Sequence, residues 1–207
     1  MINPQSLLLA TRNEGKLAEL RQLLGDLPFE LCELSDFPDV EAVPETGKSF
    51  IENASLKAAG YAKRTGLLTL ADDSGLEVDA LAGAPGILSA RYAGEGASDA
   101  ERTTRLLVEL LIVPAVQRSA RFVSAIAIGN SGGNILKVSV GTCDGHIDFA
   151  PRGSGGFGYD PVFIPNGYDK TFAELKSAIK NQISHRARAL LDAREFLRTL
   201  TLRSSGR

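Results

Sequence analysis

The chain has no tryptophan, one methionine, two cysteines and two histidines in its 207 residues. Cys32 and Cys143 make neither a disulfide framework nor a cysteine-rich zinc site, and two histidines argue against a histidine-rich one. No apolar run approaches the ~18 residues of a membrane-spanning helix. The stretch Ser6–Ala10 is apolar but only strand-length, and it lacks the basic flank of a secretion signal. These absences point to a cytoplasmic protein with no membrane partner, in which the Asn53-Ala54-Ser55 sequon has no glycosylation to receive. Charge shows no bias either: 23 basic and 25 acidic residues leave a net charge of −2, which argues against a nucleic-acid partner. The excess is in glycine, with 21 residues against an average usage of roughly 7%. Without a collagen period, these glycines mark turns or ligand loops.

With 43% hydrophobic residues, the chain can bury a real core. No repeat or composition shift marks a linker, so residues 1–207 are expected to form a single two-lobed domain, with 203–207 a frayed tail. The pattern opens strand, turn, helix: Leu7–Ala10, then Thr11-Arg12-Asn13-Glu14-Gly15, then Lys16–Leu24. Phe29–Leu34 predicts a second strand. Ser49-Phe50-Ile51-Glu52 reads as a capping box opening a helix to about Arg64. Leu67–Ala71 predicts a short strand ending at Asp72-Asp73. A second capping box, Ser98-Asp99-Ala100-Glu101, opens another helix. Ala120–Ile128 and Ile135–Thr142 flank a hairpin loop, a glycine loop spans Arg152–Asp160, and a last helix starts near Ser184. Helices and strands alternate at both ends around a β-rich middle, which predicts an α/β (mixed α+β) fold with a mixed sheet.

Two motif matches fail on context. Gly129-Asn130-Ser131-Gly132-Gly133 fits G-x-S-x-G but lies between two strands, not at the strand–helix corner a serine nucleophile needs. Gly153-Ser154-Gly155-Gly156-Phe157-Gly158 fits G-x-G-x-x-G, but no helix pattern follows it. Four constellations survive. Thr11, Arg12, Asn13, Glu14, Gly15 and Lys16 lie between a buried strand and a helix start, where unpaired N–H groups and the helix dipole suit a phosphate. Asp72, Asp73 and Glu45 offer carboxylates. Strand alternation lets only one of the two aspartates face a given ligand, and a carboxylate pair with few other ligands suits Mg²⁺. Ser184-His185-Arg186, with Lys180 before it, places cations at a helix start against the dipole. Phe157 sits on a glycine loop that can bring its ring to a base. Together these describe a nucleoside triphosphate site with metal-assisted attack of water on phosphorus.

The same residues resemble the inosine/xanthosine triphosphate pyrophosphatases. The matching blocks are Thr11-x-Asn13-x-x-Lys16, Glu45-Thr46-Gly47, Phe50–Ala54, Leu70–Leu76, Gly83–Gly86 with Ser89–Tyr92, Gly155–Pro161 and Ser184-His185-Arg186. They fall in the family's order. The resemblance implies an elongated mixed sheet flanked by helices, two lobes with a cleft, and a Mg²⁺-dependent homodimer. It implies conversion of ITP, dITP or XTP to the monophosphate and pyrophosphate. Asp73 then corresponds to the general base and a metal ligand, with Glu45 as its partner ligand. Thr11, Asn13 and Lys16 correspond to triphosphate-binding residues, helped by Ser74. Phe157 would stack on the base, with Gly158 beside it, and Tyr159, Asp160, Lys180, His185 and Arg186 would complete the pocket. One departure is Ile179, where the family often has an acid before the lysine. Donors such as Arg186 and the loop N–H groups would favour a 6-keto purine over adenine. Two readings stay open beside it: a same-fold enzyme for modified pyrimidine nucleotides, and a non-catalytic nucleotide sensor.

Overall fold

The computed structural model describes residues 5–204. Residues 205–207 of the expected tail lie outside the described residues, while Arg203 and Ser204 close the last helix. Among the described residues six strands form one mixed sheet: β1 (Gln5–Leu9), β2 (Phe29–Glu33), β3 (Leu68–Val78), β4 (Ser119–Gly129), β5 (Ile135–Ile147) and β6 (Phe163–Pro165), in the order β2-β1-β3-β4-β5-β6. β1 runs parallel to both β2 and β3, and β5 is antiparallel to β6. Among the described residues five α-helices accompany them: α1 (Glu14–Leu24), α2 (Phe50–Thr65), α3 (Asp99–Glu109), α4 (Ser177–Ile183) and α5 (His185–Ser204).

The chain divides into two compact units. The first comprises the chain up to Asp73, Ala125–Val140, and everything from Ala187 onward. Leu7, Leu8 and Leu9 are all fully buried, the continuous apolar run expected of a strand covered on both faces. Leu17, Leu20 and Leu24 of α1 pack into this core with Ala189, Leu190, Ala193 and Leu197 of α5. The second unit comprises Ser74–Ser124 and Gly141–Arg186. Its core joins Leu76, Leu106, Leu110, Phe122, Phe163 and Phe172, with the Phe122 and Phe163 rings edge to face at 4.7 Å.

Both predicted helix starts are capped, by Ser49 for α2 and Ser98 for α3. At Ser98 the box is complete. At Ser49 the Glu52 carboxylate instead accepts from the N–H of Lys48 at 2.6 Å. The strand predicted to stop at Ala71 continues to Val78, so Asp72 and Asp73 lie mid-strand. Turn-forming Asp, Ser and Gly mark an end by propensity, but side-chain pairing of both aspartates with lysine ammonium groups overrides that signal. The last helical region is two helices, with Ser184 ending α4 before α5 begins.

Candidate active site

In the first unit, β1 ends at the turn that carries Thr11 and Asn13. Asn13 caps α1, its Oδ1 accepting from the N–H of Lys16 at 2.9 Å, and the Thr11 hydroxyl oxygen accepts from the N–H of Asn13. This arrangement leaves the Asn13 amide nitrogen as a donor at a helix N-terminus. Glu14 and Gly15 form the first turn of α1. Lys16 reaches the fully buried Asp72 carboxylate at 2.9 Å. Arg12, expected on the substrate, donates to the carbonyl of Val40 at 3.1 Å and so braces the loop that leads to Glu45.

Asp73 points to a different ammonium from Asp72, as strand alternation requires. The Lys57 Nζ donates to Asp73 Oδ1 at 2.9 Å, to the carbonyl of Asp72 at 2.8 Å and to Glu45 Oε1 at 3.1 Å. Lys57 was not singled out by any motif. Its signal was its position: Phe50, Ala54, Ala58 and Tyr61 form the buried stripe of α2, and Asn53 and Lys57 share it. A lysine on an apolar helix face requires a buried anion. Asn53 serves the same loop, its Oδ1 accepting from the N–H of Gly47 at 2.8 Å.

Burial pushes the Asp73 carboxyl above the usual carboxylate range, and the Lys57 and Lys16 ammonium groups pull it only part of the way back. Burial also works against the Lys57 ammonium, but Asp73 and Glu45 outweigh it and hold its pKa above the ordinary lysine value. Asp73 Oδ2 is buried and accepts no hydrogen bond. An orphaned carboxylate oxygen is costly and is the atom a cation would take. Glu45, with its side chain about a third exposed, supplies the second carboxylate. Among the described residues no three His, Cys, Asp or Glu side chains form a metal cage. Two hard oxygens with few protein ligands fit Mg²⁺, which keeps waters and leans on substrate phosphates.

In the second unit, the glycine loop ends in a knot of buried charge. Asp160 and Lys180 are both buried and form an ion pair. Asp160 Oδ2 also accepts from the N–H of Phe157 at 2.9 Å. The Lys180 Nζ lies 4.8 Å from the centre of the Phe157 ring, and the Arg186 guanidinium 5.7 Å from it. Lys180 thus finds its acid in Asp160, with Ile179 beside it in sequence. Arg186 is almost fully buried and donates to the Ser74 hydroxyl at 2.9 Å. His185 is buried with its ring stacked on Phe122 at 4.7 Å. The side chains of His185 and Arg186 at the start of α5 therefore do not extend into solvent, whereas Arg188 is exposed.

Tyr159 and two N–H groups of this loop have partners within the protein. Tyr159 lies in the core, its hydroxyl donating to the carbonyl of Ser89 at 2.9 Å, so its side chain supports the loop from below. Burial pushes that hydroxyl's pKa well up. The N–H groups of Phe157 and Gly158 are not open to a base oxygen, because Asp160 and Asp99 take them. Short carboxylate acceptors outcompete a neutral ligand carbonyl.

A family model described as the Ham1 family matches residues 7–196. The chain is 51% identical over 191 residues to the dITP/XTP pyrophosphatase of Geobacter sulfurreducens, covering 92% of this chain and 96% of that one. It is equally identical over 186 residues to the dITP/XTP pyrophosphatase of Geobacillus kaustophilus, covering 90% and 91%. A solved structure of a HAM1 protein from Coxiella burnetii superposes with a TM-score of 0.85 at 43% identity, covering 94% of this chain and 99% of that one. By these matches, which run through every block of the site, the chain belongs to the Ham1 family.

Proposed function

We propose that this protein hydrolyses non-standard purine nucleoside triphosphates (dITP, ITP and XTP) to the monophosphate and pyrophosphate, removing them from the nucleotide pool. The observation that carries this reading is Asp73, a buried carboxylate with one oxygen on Lys57 and the other without a donor. Such a group is built to meet a cation and a proton, and a pure sensor needs neither. The naming of the relatives as dITP/XTP pyrophosphatases supports the substrate class.

Glu45 and Asp73 would hold Mg²⁺, which when bound neutralises phosphate charge and polarises the phosphorus under attack. Lys57 draws the two carboxylates together beforehand. Asp73, with proton affinity raised by burial, takes a proton from the attacking water. Thr11, Asn13 and Lys16 bind the triphosphate, with the first turn of α1, including Glu14 and Gly15, offering backbone donors. Arg12 holds the Glu45 loop. In the second unit Phe157 stacks on the base. Ser74 and Arg186 face the nucleotide as a bonded pair, and Arg186 supplies a donor to the 6-keto oxygen. Adenine would place its amine against that donor, a mismatch worth about 10²-fold or more in specificity. Gly158, Tyr159, Asp160, Lys180 and His185 hold these groups in place. A cytoplasmic homodimer belongs to the same reading, and light scattering should return twice the chain mass.

A substrate panel tests the proposal. Wild type with Mg²⁺ should turn over dITP and XTP at least 10²-fold faster than ATP, with dTTP also poor, and Asp73→Asn should abolish turnover while still binding dITP. Equal rates on dITP and ATP, or preferred turnover of dTTP, would defeat it.

A further inference from the structure

The start of α3 carries more polar chemistry than a helix N-terminus needs. Ser98 and Glu101 already complete a capping box there, Ser98 Oγ accepting from the N–H of Glu101 and Glu101 accepting from the N–H of Ser98 at 2.7 Å. Asp99 is therefore not required as a cap. Its Oδ2 instead accepts from the N–H of Gly158 at 2.6 Å, 59 residues away in sequence. Its Oδ1 is paired with Arg102, which also donates to the carbonyls of Ala90 and Ala97. One turn further along α3, the Thr103 hydroxyl reaches the carbonyl of Gly158 at 3.4 Å.

Gly158 has φ +63, and it follows Phe157 directly. The N–H groups on either side of the Phe157 Cα are thus each taken by a carboxylate, one from Asp160 and one from Asp99. Asp160 is anchored by a buried lysine, whereas the Asp99 side chain is nearly half exposed and anchored by Arg102. A backbone held at both peptides presents its ring in one pose, and a pre-set ring loses less conformational freedom on binding.

We infer that Asp99 is a positioning residue for the base-stacking loop, fixing Phe157 through the Gly158 peptide and so setting affinity for the purine rather than the rate of the chemical step. This rests on the nucleotide reading above, but part of its test does not.

Asp99→Ala, Asp99→Asn and Ser98→Ala would be compared with wild type. Asp99→Ala should raise KM for dITP about tenfold, as loss of one charge-assisted hydrogen bond implies. It should leave kcat within about twofold and inhibition by tripolyphosphate, which has no base, unchanged. Asp99→Asn keeps an acceptor for Gly158 and should restore KM to within about threefold of wild type. Ser98→Ala breaks the capping box without touching Gly158, so it should lower Tm and leave KM alone. Amide exchange over residues 155–159 should quicken about tenfold in Asp99→Ala only, a readout that needs no substrate. A wild type that fails to turn over dITP would defeat the nucleotide reading while exchange still decides the role of Asp99. Unchanged exchange in Asp99→Ala, a wild-type KM in that variant, no rescue by Asn, or an equal KM rise in Ser98→Ala would each overturn the inference.

Discussion

Asp73 has one oxygen on an ammonium and the other buried without a donor, and its surroundings pull its proton in opposite directions. Burial wins, so the carboxyl titrates above its ordinary value of about 3.9. Only the ionised form can accept a proton, so kcat/KM should fall as pH drops through that raised value. The acidic limb of the pH–rate profile should therefore lie above the usual carboxylate range. Lys57→Met removes the charge that restrains the shift, so the limb should move further up in pH. That variant should also lose about 10²-fold or more of kcat at neutral pH, within the range of general-base catalysis. It leaves the buried Asp73 carboxylate without its ion-pair partner as well, and breaking a buried pair costs about 3–5 kcal/mol, so a lower Tm should accompany the lost activity. An unshifted limb with wild-type kcat would contradict the role given to Lys57. The motifs exposed Asp73 and Glu45 because both stand in distinctive local patterns. Lys57 escaped them because its meaning lies in the face of α2 it occupies, visible only when the stripe through Phe50, Ala54 and Tyr61 is followed residue by residue.

Among the elements, α1 shows how one residue can be asked to serve both the fold and the proposed site. Asn13 caps the helix and shapes the turn expected to bind phosphate. Asn13→Ala should cost about 1 kcal/mol of stability, seen as a lower midpoint in urea, and should raise KM for dITP. A change in stability alone would separate the cap from the site. The glycine loop is less tolerant. Gly156 has φ +69, and a Cβ there would sit 2.0 Å from Asp160 Oδ2, the atom that holds Phe157 and Lys180. Gly156→Ala should therefore cost more than about 1 kcal/mol, measurable as a fall in Tm, with a weaker grip on the base. Most elements were legible from capping residues and apolar spacing: α2 and α3 begin where Ser49 and Ser98 place them, while α1, expected from Lys16, begins at Glu14 because Asn13 caps it. The course of β3 through Asp72 and Asp73 was not, because the lysines that make those charges tolerable in a strand come from α1 and α2. The start of α5 at His185 falls where the sequence placed it, near Ser184, but α4 before it was not legible, because its Lys180 is satisfied by Asp160, 20 residues away in the chain.

For the whole molecule, a net charge of −2 averages two different neighbourhoods. Around Lys57 three charged side chains meet in the first unit, and around Asp160 a buried ion pair lies against an aromatic ring in the second. The mixed sheet was predictable from alternating helices and strands with a β-rich middle. The grouping of Ser74 with Arg186, and of Asp99 with Gly158, was not, because these contacts join residues 112 and 59 positions apart. Chelating divalent cations should abolish dITP turnover, and Mg²⁺ should restore it in wild type but not in Asp73→Asn. Turnover that survives chelation would remove the reason for pairing Asp73 with Glu45.

Cleavage to a monophosphate can be followed directly by phosphorus NMR of dITP with Mg²⁺. dIMP and pyrophosphate should appear in equal amounts, with no orthophosphate and with ATP untouched in the same tube. Accumulation of dIDP with orthophosphate, or matching consumption of ATP, would contradict it.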